Sequence, residues 1–433
     1  MMNKDKYIPQ GYKPSPFGII PEDWEVKKLG EVCAFLRTNT LSRNQLNDVN
    51  GDIHNIHYGD VLVKYPSIID VQKQSIPFIN SEDYKESMID FIEDGDVVLA
   101  DTAEDETVGK ACEIANIGSE KILSGLHTML IRPQKGLFFP CFLGYQVNSV
   151  SYRKQLQALI QGIKVCSLGK QAIANTYFAV PPLPEQQRIV SVLSLWDTAI
   201  AKQTALIEKL TLLKRGLMQQ LLTGKKRLKG FSGEWKRIKL GDIAERITRK
   251  NEEDNQNVVT ISAQRGFVVQ TDFFNKSVAS ETLDNYFLVH KDEFCYNKSY
   301  SNGYPMGAIK RLKTFDKAVV TTLYICFALK NETTTSIDFF EQYCESGILN
   351  KELVKVANEG GRAHGLLNVT PFDFFNMHMS IPSINEQNAI ASVLVNADKE
   401  IEIQKQKLAA MQAQKKGLMQ VLLTGKKKII ILI

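Results

Sequence analysis

The stretch GLMQQLLTGKK at 216–226 recurs as GLMQVLLTGKK at 417–427, with ten matches in eleven positions. The match continues without a gap over residues 180–227 and 381–428, at a constant offset of 201, and 21 of these 48 positions are identical. Self-similarity over such a length is the signature of a repeated structural unit. The repeat therefore indicates that the chain contains two related structural units.

A second, weaker match precedes each copy. WEVKKLGEV at 24–32 aligns with WKRIKLGDI at 235–243 at an offset of 211. The offset falls from 211 to 201 along the chain, so the second copy is about ten residues shorter in its middle. The sequence thus predicts two copies of one unit, near 24–227 and 235–428.

Length and composition exclude several classes of protein. The chain has 433 residues, 44% of them apolar and 23% charged, which suits a globular protein of two or three domains. No apolar run approaches the roughly 18 residues that span a bilayer, and residues 1–10 lack the apolar stretch of a signal peptide. The seven cysteines include no C-x2-C pair. We therefore expect a cytoplasmic protein rather than a disulfide scaffold, a structural zinc protein or a membrane protein.

Each copy begins with a mixed α+β region, at 24–180 and 235–381. Short apolar runs between Gly, Asn, Asp and Pro residues are typical of β-strands joined by turns. Such runs, and one helical pattern, are DVVLADT (96–102), TMLIRP (128–133), NVVTISA (257–263), TLYICFALK (322–330) and SYRKQLQALIQ (151–161).

Each copy ends in the pattern of one long helix. Pro184 at a first-turn position and Asn385 as a cap are start signals. Gly224 and Gly425 are stop signals. The roughly 38 residues between these signals would form a rod of roughly 57 Å, at 1.5 Å for each residue.

Both helices carry apolar residues at alternating spacings of three and four. In the first helix these are Ile189, Leu193, Trp196, Ile200, Ile207, Leu210, Leu217 and Leu221. In the second they are Ile390, Leu394, Ala397, Ile401, Leu408, Met411, Leu418 and Leu422. Polar residues interrupt the seam at Gln203 and Lys214, and at their counterparts Gln404 and Lys415. A seam over four to five heptads indicates coiled-coil packing, and an amphipathic helix lying on its own domain is the alternative.

The order of the segments sets the direction of this pairing. The first helix leads from the first α+β domain into the second domain, and the second helix follows the second domain. The predicted fold is therefore α+β, with two similar globular domains joined by two long antiparallel helices, a coiled-coil stalk with a pseudo-two-fold internal repeat. The predicted segments are an N-terminal extension (1–23), a first domain (24–180), a helix (181–227), a second domain (228–381), a second helix (382–428) and a tail (429–433).

The net charge of +5 is unevenly distributed. Acidic residues exceed basic ones in 24–180 and the two balance in 235–381, whereas basic residues exceed acidic ones in 182–234 and 382–433. A nucleic-acid surface would use such cations to neutralise phosphates. Basic residues at a helix C-terminus also complement the helix dipole without any partner. Charge alone leaves both interpretations open.

The sequence contains no recognisable catalytic motif. The chain lacks the Gly-rich cofactor loop and the N/D-P-P-Y/F tetrapeptide of DNA adenine methyltransferases, and LLTGKK departs from the P-loop pattern at two positions. The charged set Asp23, Glu25 and Lys27 fits a solvated surface better than a nuclease site. His54 and His57 show no metal-ligand spacing and are expected to form local hydrogen bonds at a strand end. The sequence predicts a recognition and assembly protein, with no catalytic residue, no metal ligand and no cofactor of its own.

The segments VPPLPEQQRIVSVL (180–193) and KRGLMQQLLTGKKRL (214–228) resemble the central conserved region of type I restriction–modification specificity subunits. KKGLMQVLLTGKK resembles their distal conserved region. PEDWEVKKLGEV and FSGEWKRIKLGDI resemble the segments that open each target-recognition domain. The resemblance covers nearly the whole chain in the family's order, and Ser383 and Asn385 depart from it where the first copy has prolines.

The resemblance implies a non-catalytic DNA-binding subunit. In this family each recognition domain reads one half of a bipartite sequence in double-stranded DNA. The conserved helices set the spacing and dock two methyltransferase subunits, which bind S-adenosylmethionine and methylate adenine. Restriction subunits, when present, make the assembly an ATP-dependent endonuclease. No membrane partner is implied.

The candidate DNA-binding residues lie in turn-rich loops. NKSYSNGYPMG (297–307) aligns with ADTAEDETVGK (100–110), and its amide, hydroxyl, cationic and aromatic groups suit base edges and phosphates. A Gly-rich connection without a partner is the alternative for this loop. The first-copy loop is acidic, so it can accept from cytosine N4 but repels phosphate. The candidates are Lys298, Ser299, Tyr300, Asn302 and Tyr304, then Lys164, Arg362 and His364, and finally Arg37 and Arg43.

The candidate partner-binding residues lie at the two helix ends, which are the most alike parts of the copies. Packing in the seam accounts for Leu217 and Leu221 but not for the matches outside the seam. Two equal surfaces suit two identical partners, so we expect two methyltransferase subunits per chain. The matches outside the seam are Gln219, Thr223, Lys225, Lys226, Gln420, Thr424, Lys426 and Lys427.

Two alternatives remain open at this point. One is a regulator of a bipartite operator without an enzymatic partner. The other is the specificity subunit of a two-gene system, whose partner carries both the restriction and the methyltransferase activities. A self-contained DNA-modifying enzyme is disfavoured by the missing motifs.

Overall fold

The computed structural model describes residues 8–16, 18–85, 87, 90–162, 164–271, 283–357 and 367–427. Contacts divide the chain into two compact units. The first unit comprises Met1–Lys202 and Leu408–Ile433, and the second comprises Gln203–Lys407. Each unit therefore combines one α+β domain with part of each long helix.

The first domain consists of short strands and short helices, and the first long helix follows it. The strands are β1 (Tyr12–Ser15), β2 (Gly18–Pro21), β3 (Glu25–Lys28), β4 (Cys33–Leu36), β5 (Leu46–Asn47), β6 (His54–Ile56), β7 (Ile68–Asp70), β8 (Phe78–Ile79), β9 (Val97–Ala100), β10 (Thr102–Ala103), β11 (Ala111–Ala115), β12 (Ile122–Ser124), β13 (Thr128–Pro133), β14 (Cys166–Ser167) and β15 (Tyr177–Val180). The helices are α1 (Leu29–Val32), α2 (Tyr58–Val63), α3 (Phe142–Val147), α4 (Val150–Gln157), α5 (Lys170–Ala174) and the long α6 (Leu183–Leu221).

A five-stranded sheet in the order β4-β13-β9-β11-β7 forms the centre of the first domain, and a four-stranded sheet in the order β12-β6-β8-β5 accompanies it. The central strand β9 has the sequence VVLA and is buried at every position. An uninterrupted apolar run of this kind is typical of a strand covered on both faces. Leu143, Tyr152 and Leu156 of α3 and α4 belong to the core cluster that covers it.

The second copy has its own strands and helices, followed by the second long helix. The strands are β16 (Lys236–Lys239), β17 (Ala244–Ile247), β18 (Val259–Ser262), β19 (Gly266–Val269), β20 (Phe287–His290), β21 (Phe294–Asn297), β22 (Ala308–Arg311), β23 (Lys317–Val320), β24 (Ile325–Leu329) and β25 (His378–Ile381). The helices are α7 (Leu240–Ile243), α8 (Ile337–Glu345), α9 (Asn350–Val356), α10 (Pro371–Asn376) and the long α11 (Ile384–Leu422).

The central sheet of the second domain has the strand order β17-β24-β21-β22. It repeats the order β4-β13-β9-β11 of the first domain, so the duplication includes the domains whose sequences have diverged most. The loops 100–110 and 297–307 both follow the central strand and lead into its neighbour, β11 or β22. The alignment of these two loops from sequence is therefore confirmed by the topology.

A buried glutamine fixes each domain to the start of its long helix. In the first unit, Gln186 accepts from the backbone N–H of Phe139 at 2.8 Å and donates to the carbonyls of Leu137 and Pro181. Gln387 of the second unit makes the equivalent three bonds. Both glutamines are fully buried, which explains why this position is identical in the two copies.

The two long helices have 39 residues each, which corresponds to about 58 Å. Gly224 and Gly425 follow them with φ of 68° and 67°, in the left-handed region that favours glycine at a helix end. The predicted stop signals are therefore confirmed. The second helix begins one residue before Asn385, so Asn385 lies in the first turn and is not the cap that the sequence suggested.

Two ion pairs join the helices where lysine interrupts the apolar seam. In the second unit, Lys214 Nζ lies 2.5 Å from Asp398 Oδ1. In the first unit, Lys415 Nζ lies 2.5 Å from Asp197 Oδ1. Each pair takes its lysine from one copy and its aspartate from the other. The two interruptions of the seam are thus complementary contacts.

The glutamine interruptions show the direction of pairing. Gln203 donates to the side-chain oxygen and the backbone carbonyl of Gln404, at 2.7 and 3.0 Å. Further along α6, Lys214 contacts Asp398, which lies earlier on α11. Positions therefore rise on one helix as they fall on the other, and the predicted antiparallel pair is confirmed.

Candidate nucleic-acid interface

A buried polar network around Tyr304 holds the loop 297–307 in place. Tyr304 Oη donates to Glu345 Oε2 at 2.9 Å, and Lys310 Nζ lies 2.6 Å from Glu345 Oε1. Burial by itself would lower the pKa of Lys310, but the Glu345 carboxylate and the Tyr304 hydroxyl together outweigh burial and raise it. The Tyr304 hydroxyl is thus already engaged within the domain, where it supports the loop.

The other candidates of this loop differ in exposure. Tyr300 is 67% exposed, and Asn302 is also exposed, with its backbone carbonyl accepting from Gln264. Lys298 and Ser299 are half-buried, and burial lowers the pKa of Lys298. The aromatic ring of Tyr300 and the amide of Asn302 are therefore the groups of this loop that are most open to an incoming ligand.

A cavity of about 550 Å³ opens beside this loop in the second domain. Its walls combine hydroxyl, amide and aromatic groups with the exposed apolar side chain of Leu323. Hydroxyls and amides contact base edges, and an apolar group suits the thymine methyl. The polar residues of the walls include Thr260, Ser262, Gln264, Gln270, Tyr286, Asn297, Ser299, Ser301, Thr321 and Tyr324.

A second cavity, of about 870 Å³, lies between the loop and the helices of the second unit. Asn302 and Tyr304 share its walls with Arg215 and Lys405, two exposed cations of the long helices. Arginine and lysine side chains are the usual phosphate contacts of a DNA-binding protein. The second unit therefore presents amide, phenol and cationic groups on the walls of one cavity.

The first-domain loop 100–110 is acidic, and hydrogen bonds within the loop and from Arg153 hold it in place. Asp105 accepts from the backbone N–H of Thr107 at 2.8 Å. Arg153 donates to the carbonyls of Glu106 and Val108. The carboxylates thus stand on a rigid loop rather than on a loose connection.

The structure brings together three residues that the sequence did not single out as a site. The rings of His57 and Tyr58 lie 4.6 Å apart, and those of Tyr58 and His127 lie 5.3 Å apart in an edge arrangement. His127 Nδ1 lies 3.4 Å from Thr102 Oγ1. His57 also makes the local hydrogen bond expected of it, accepting from Gly59 N, and burial lowers the pKa of His57. The cluster joins segments about 70 residues apart in sequence, so spacing alone could not reveal it.

The remaining basic candidates occupy separate places. Arg43 pairs with Asp60 at 2.7 Å, and its charge acts on His57, so it belongs to the same surface as the histidine cluster. Arg37 is held by Asp90, and Lys164 is exposed. The last two candidates lie outside the described residues; they are Arg362 and His364.

At the helix ends, the matched residues fall into two groups. Thr223 donates to the carbonyl of Gln219 and Thr424 to that of Gln420, one turn back, and the Gln219 side chain donates to the Ser346 carbonyl. These contacts give part of the matched sequence a structural role within the chain. The four lysines are exposed, and we call them the terminal lysines: Lys225, Lys226, Lys426 and Lys427.

Two further properties concern metal binding and membrane insertion, within the described ranges. No three His, Cys, Asp or Glu side chains of that part of the chain come together as ligands for a metal ion. None of the helices described there combines the length and the apolar character that crossing a membrane requires.

The fold is thus a duplicated α+β domain carried on a pair of antiparallel helices. The family model for the type I restriction modification DNA specificity domain matches the chain twice, at residues 21–212 and 232–413. The chain belongs to this family.

Similar proteins extend the comparison over the full chain. A protein of Methanocaldococcus jannaschii named as the type I restriction enzyme MjaX specificity subunit is 25% identical, over 97% of each chain. The S subunit of a type I restriction–modification system from M. genitalium is 14% identical, with a TM-score of 0.50, over 92% of this chain and 96% of that one. A chain solved in work on complex assembly and conformational transition of the type I restriction–modification system is 16% identical, with a TM-score of 0.54, over 94% and 99%. At such low identity these structures show the fold alone.

Proposed function

We propose that the chain is the DNA specificity subunit of a type I restriction–modification complex and has no catalytic activity of its own. The observation that carries the proposal is that one chain contains two DNA specificity domains. Each domain would read one half of a bipartite target in double-stranded DNA. The paired helices would set the distance between the halves, and the complex would act in the cytoplasm.

The loops of the two domains support a division of the target. After the central strand, the second domain presents Lys298, Tyr300 and Asn302, whereas the first domain presents a braced acidic loop at 100–110. Groups of opposite charge at equivalent positions favour different base edges. The proposal therefore assigns unlike half-sites to the two domains.

The helices offer surface for protein partners. Leu206, Leu212 and Leu213 of α6 are 41%, 64% and 59% exposed, and none of them belongs to the seam between the helices. Exposed apolar groups of this kind, beside exposed lysines, are typical of a docking surface. We propose that two methyltransferase subunits bind along the helices and their ends, and that these partners hold the S-adenosylmethionine.

Co-expression of the chain with its methyltransferase partner in a host without adenine methylation tests the proposal. Mapping of the methylated adenines should show one bipartite motif, which neither protein produces alone. Methylation by the chain alone would instead identify a self-contained enzyme. Binding to a bipartite site without capture of a methyltransferase would favour a transcriptional regulator.

Exchange of loop 297–307 for the corresponding loop of a relative tests the division of the target. Only one half of the methylated motif should change. The matched control is exchange of loop 100–110, which should change only the other half. A change in both halves, or in neither, would contradict the assignment of one half-site to each domain.

A further inference from the structure

The two domains have an equivalent position directly after the central strand, β9 or β21. In the first domain, Ala100 at the end of β9 pairs with Thr128 at the start of β13, so Asp101 and His127 are neighbours, and Asp101 N donates to the His127 carbonyl. In the second domain, Lys298 is likewise the first residue after the central strand β21. We call Asp101, Thr102 and His127 the first reading face, and Lys298 and Ser299 the second reading face.

On the first reading face, three side chains form a directed chain of hydrogen bonds. The Thr102 hydroxyl donates its single hydrogen to Asp101 Oδ1 at 2.8 Å. Its oxygen must therefore accept in the contact with His127 Nδ1 at 3.4 Å. An imidazole ring with one N–H then carries it on Nδ1, and Nε2 is left as an acceptor. The Asp101 carboxylate is an acceptor as well.

His127 is placed so that this acceptor can reach a ligand. Its side chain is 47% exposed, and the edge contact with Tyr58 limits how the ring can turn. Its φ is 53°, a backbone conformation that is uncommon for a residue other than glycine. Strained residues of this kind cluster at functional sites.

The second reading face has the opposite hydrogen-bonding character. Lys298 stands where the first face has Asp101, and an ammonium group can only donate. The Ser299 hydroxyl follows it, on the wall of the cavity beside loop 297–307. A carboxylate in one copy thus corresponds to a cation in the other.

We infer that the first reading face contacts the exocyclic amino group of a base in the major groove, adenine N6 or cytosine N4, through Asp101 and His127. The second face contacts guanine N7 and O6 through Lys298. The inference rests on the proposed function, because it names how each half-site is read. Thr102 is a positioning residue, since it acts by fixing the tautomer of His127.

The test uses the complete complex with its methyltransferase partner. Asp101→Asn and His127→Asn each replace the acceptor group by an amide, which also carries a donor. Asparagine tolerates the left-handed backbone conformation of residue 127. Both variants should relax one base position in one half of the methylated motif, with discrimination reduced about fivefold or more. Thr102→Val should weaken the same position. Lys298→Met is the matched control and should affect only the other half.

Base analogues then separate direct contact from loss of structure. Purine in place of adenine, or pyrimidinone in place of cytosine, removes the amino group at the position that the variants identify. Wild-type complex should lose affinity about fivefold or more, whereas the Asp101 and His127 variants should lose nothing further. The analogue that acts shows whether the base is adenine or cytosine. In the other half-site, 7-deazaguanine in place of guanine should lower the affinity of the wild-type complex but not that of the Lys298→Met complex.

Three outcomes decide between the possibilities. If the variants fold, assemble and bind non-specific DNA normally but leave the motif unchanged, the inference is wrong. It is also wrong if the analogue weakens variant and wild type equally. If wild-type complex methylates no bipartite motif, the proposed function itself fails, and the inference fails with it.

Discussion

The ion pair between Lys214 and Asp398 should respond unequally to loss of its two members. The Lys214 side chain is only 14% exposed, whereas that of Asp398 is 45% exposed. Asp398→Asn leaves a largely buried ammonium without its carboxylate. Lys214→Met keeps the packing of the aliphatic stem and leaves a carboxylate that water can reach and that still accepts from Gln342 at 2.8 Å.

The magnitudes follow from this difference in burial. Breaking a fully buried pair costs about 3–5 kcal/mol, whereas exposed pairs contribute about 0–1 kcal/mol. We expect about 2 kcal/mol for Asp398→Asn and less than about 1 kcal/mol for Lys214→Met, because the stranded group is more buried in the first variant. The double variant should cost less than the sum, since neither charge is then left alone.

Hydrogen exchange of the helix amides is the suitable assay, because a chain of two units need not unfold in a single step. A cost of 2 kcal/mol corresponds to about 30-fold faster exchange of the amides around 203–214 and 398–404. Lys209→Met, on an exposed face of the same helix, is the control and should change little. If Asp398→Asn costs no more than Lys214→Met, the argument from burial is refuted.

Because the chain is a repeat, the first unit contains an equivalent ion pair on which the same prediction can be tested. Asp197 pairs with Lys415 in the first unit, and Lys415 Nζ also lies 5.1 Å from the centre of the Tyr145 ring. The ring offers the stranded lysine a residual partner through its π face. Asp197→Asn should therefore cost less than Asp398→Asn in the same exchange experiment.

Other substitutions probe the core, the helix ends and the partner surface. Burial raises the pKa of Glu113 from 4.5 to about 7, so the folded state holds an extra proton between these values. Stability should fall by about 3 kcal/mol as pH rises through this range, and Glu113→Gln should remove the slope in urea unfolding at pH 5 and pH 8. Gly425→Ala should cost about 2–4 kcal/mol, because its Cβ would lie 2.2 Å from Pro21 Cδ at a φ of 67°. Gly224→Ala, with Trp235 no nearer than 3.4 Å, should cost only about 1 kcal/mol, and thermal unfolding compares the two. Charge reversal at all four terminal lysines should weaken assembly or DNA affinity without loss of circular dichroism. Native mass spectrometry should count two methyltransferase subunits per wild-type chain, and a one-to-one complex at saturating partner would contradict two sites.

The repeat and the helical seam were predictable because both are local patterns in the sequence. The apolar spacing in 183–221 and 384–422 directly reports the face that each helix buries. The apolar run TMLIRP at 128–133 is likewise a strand, as predicted. Strands of this kind can be predicted because apolar runs and the turn residues beside them lie within a few positions of each other in the sequence. The antiparallel direction followed from the order of the segments alone.

The contacts between distant residues could not be predicted in this way. The interruption at Lys214 looked like a defect of the seam until the structure placed Asp398 against it. Tyr304 looked like a free base-contacting group, but its hydroxyl is bound to Glu345, which lies 41 residues further along. Tyr58 and His127 meet because α2, which begins at Tyr58, packs against β9, and β9 pairs with β13, which follows His127. Each of these facts depends on the tertiary fold rather than on sequence spacing.

The crossed ion pairs also bear on the ancestry of the chain. Each pair joins a lysine of one copy to the equivalent aspartate of the other, which is the contact pattern of two identical subunits that have been fused. Identical subunits must present identical surfaces, so two unfused copies would carry the same residue at each loop position. Within one chain the two copies can mutate separately, while the same Asp, Gln and Lys positions keep the helices paired. A carboxylate at 101 and an ammonium at 298 can therefore occupy equivalent positions of the two copies.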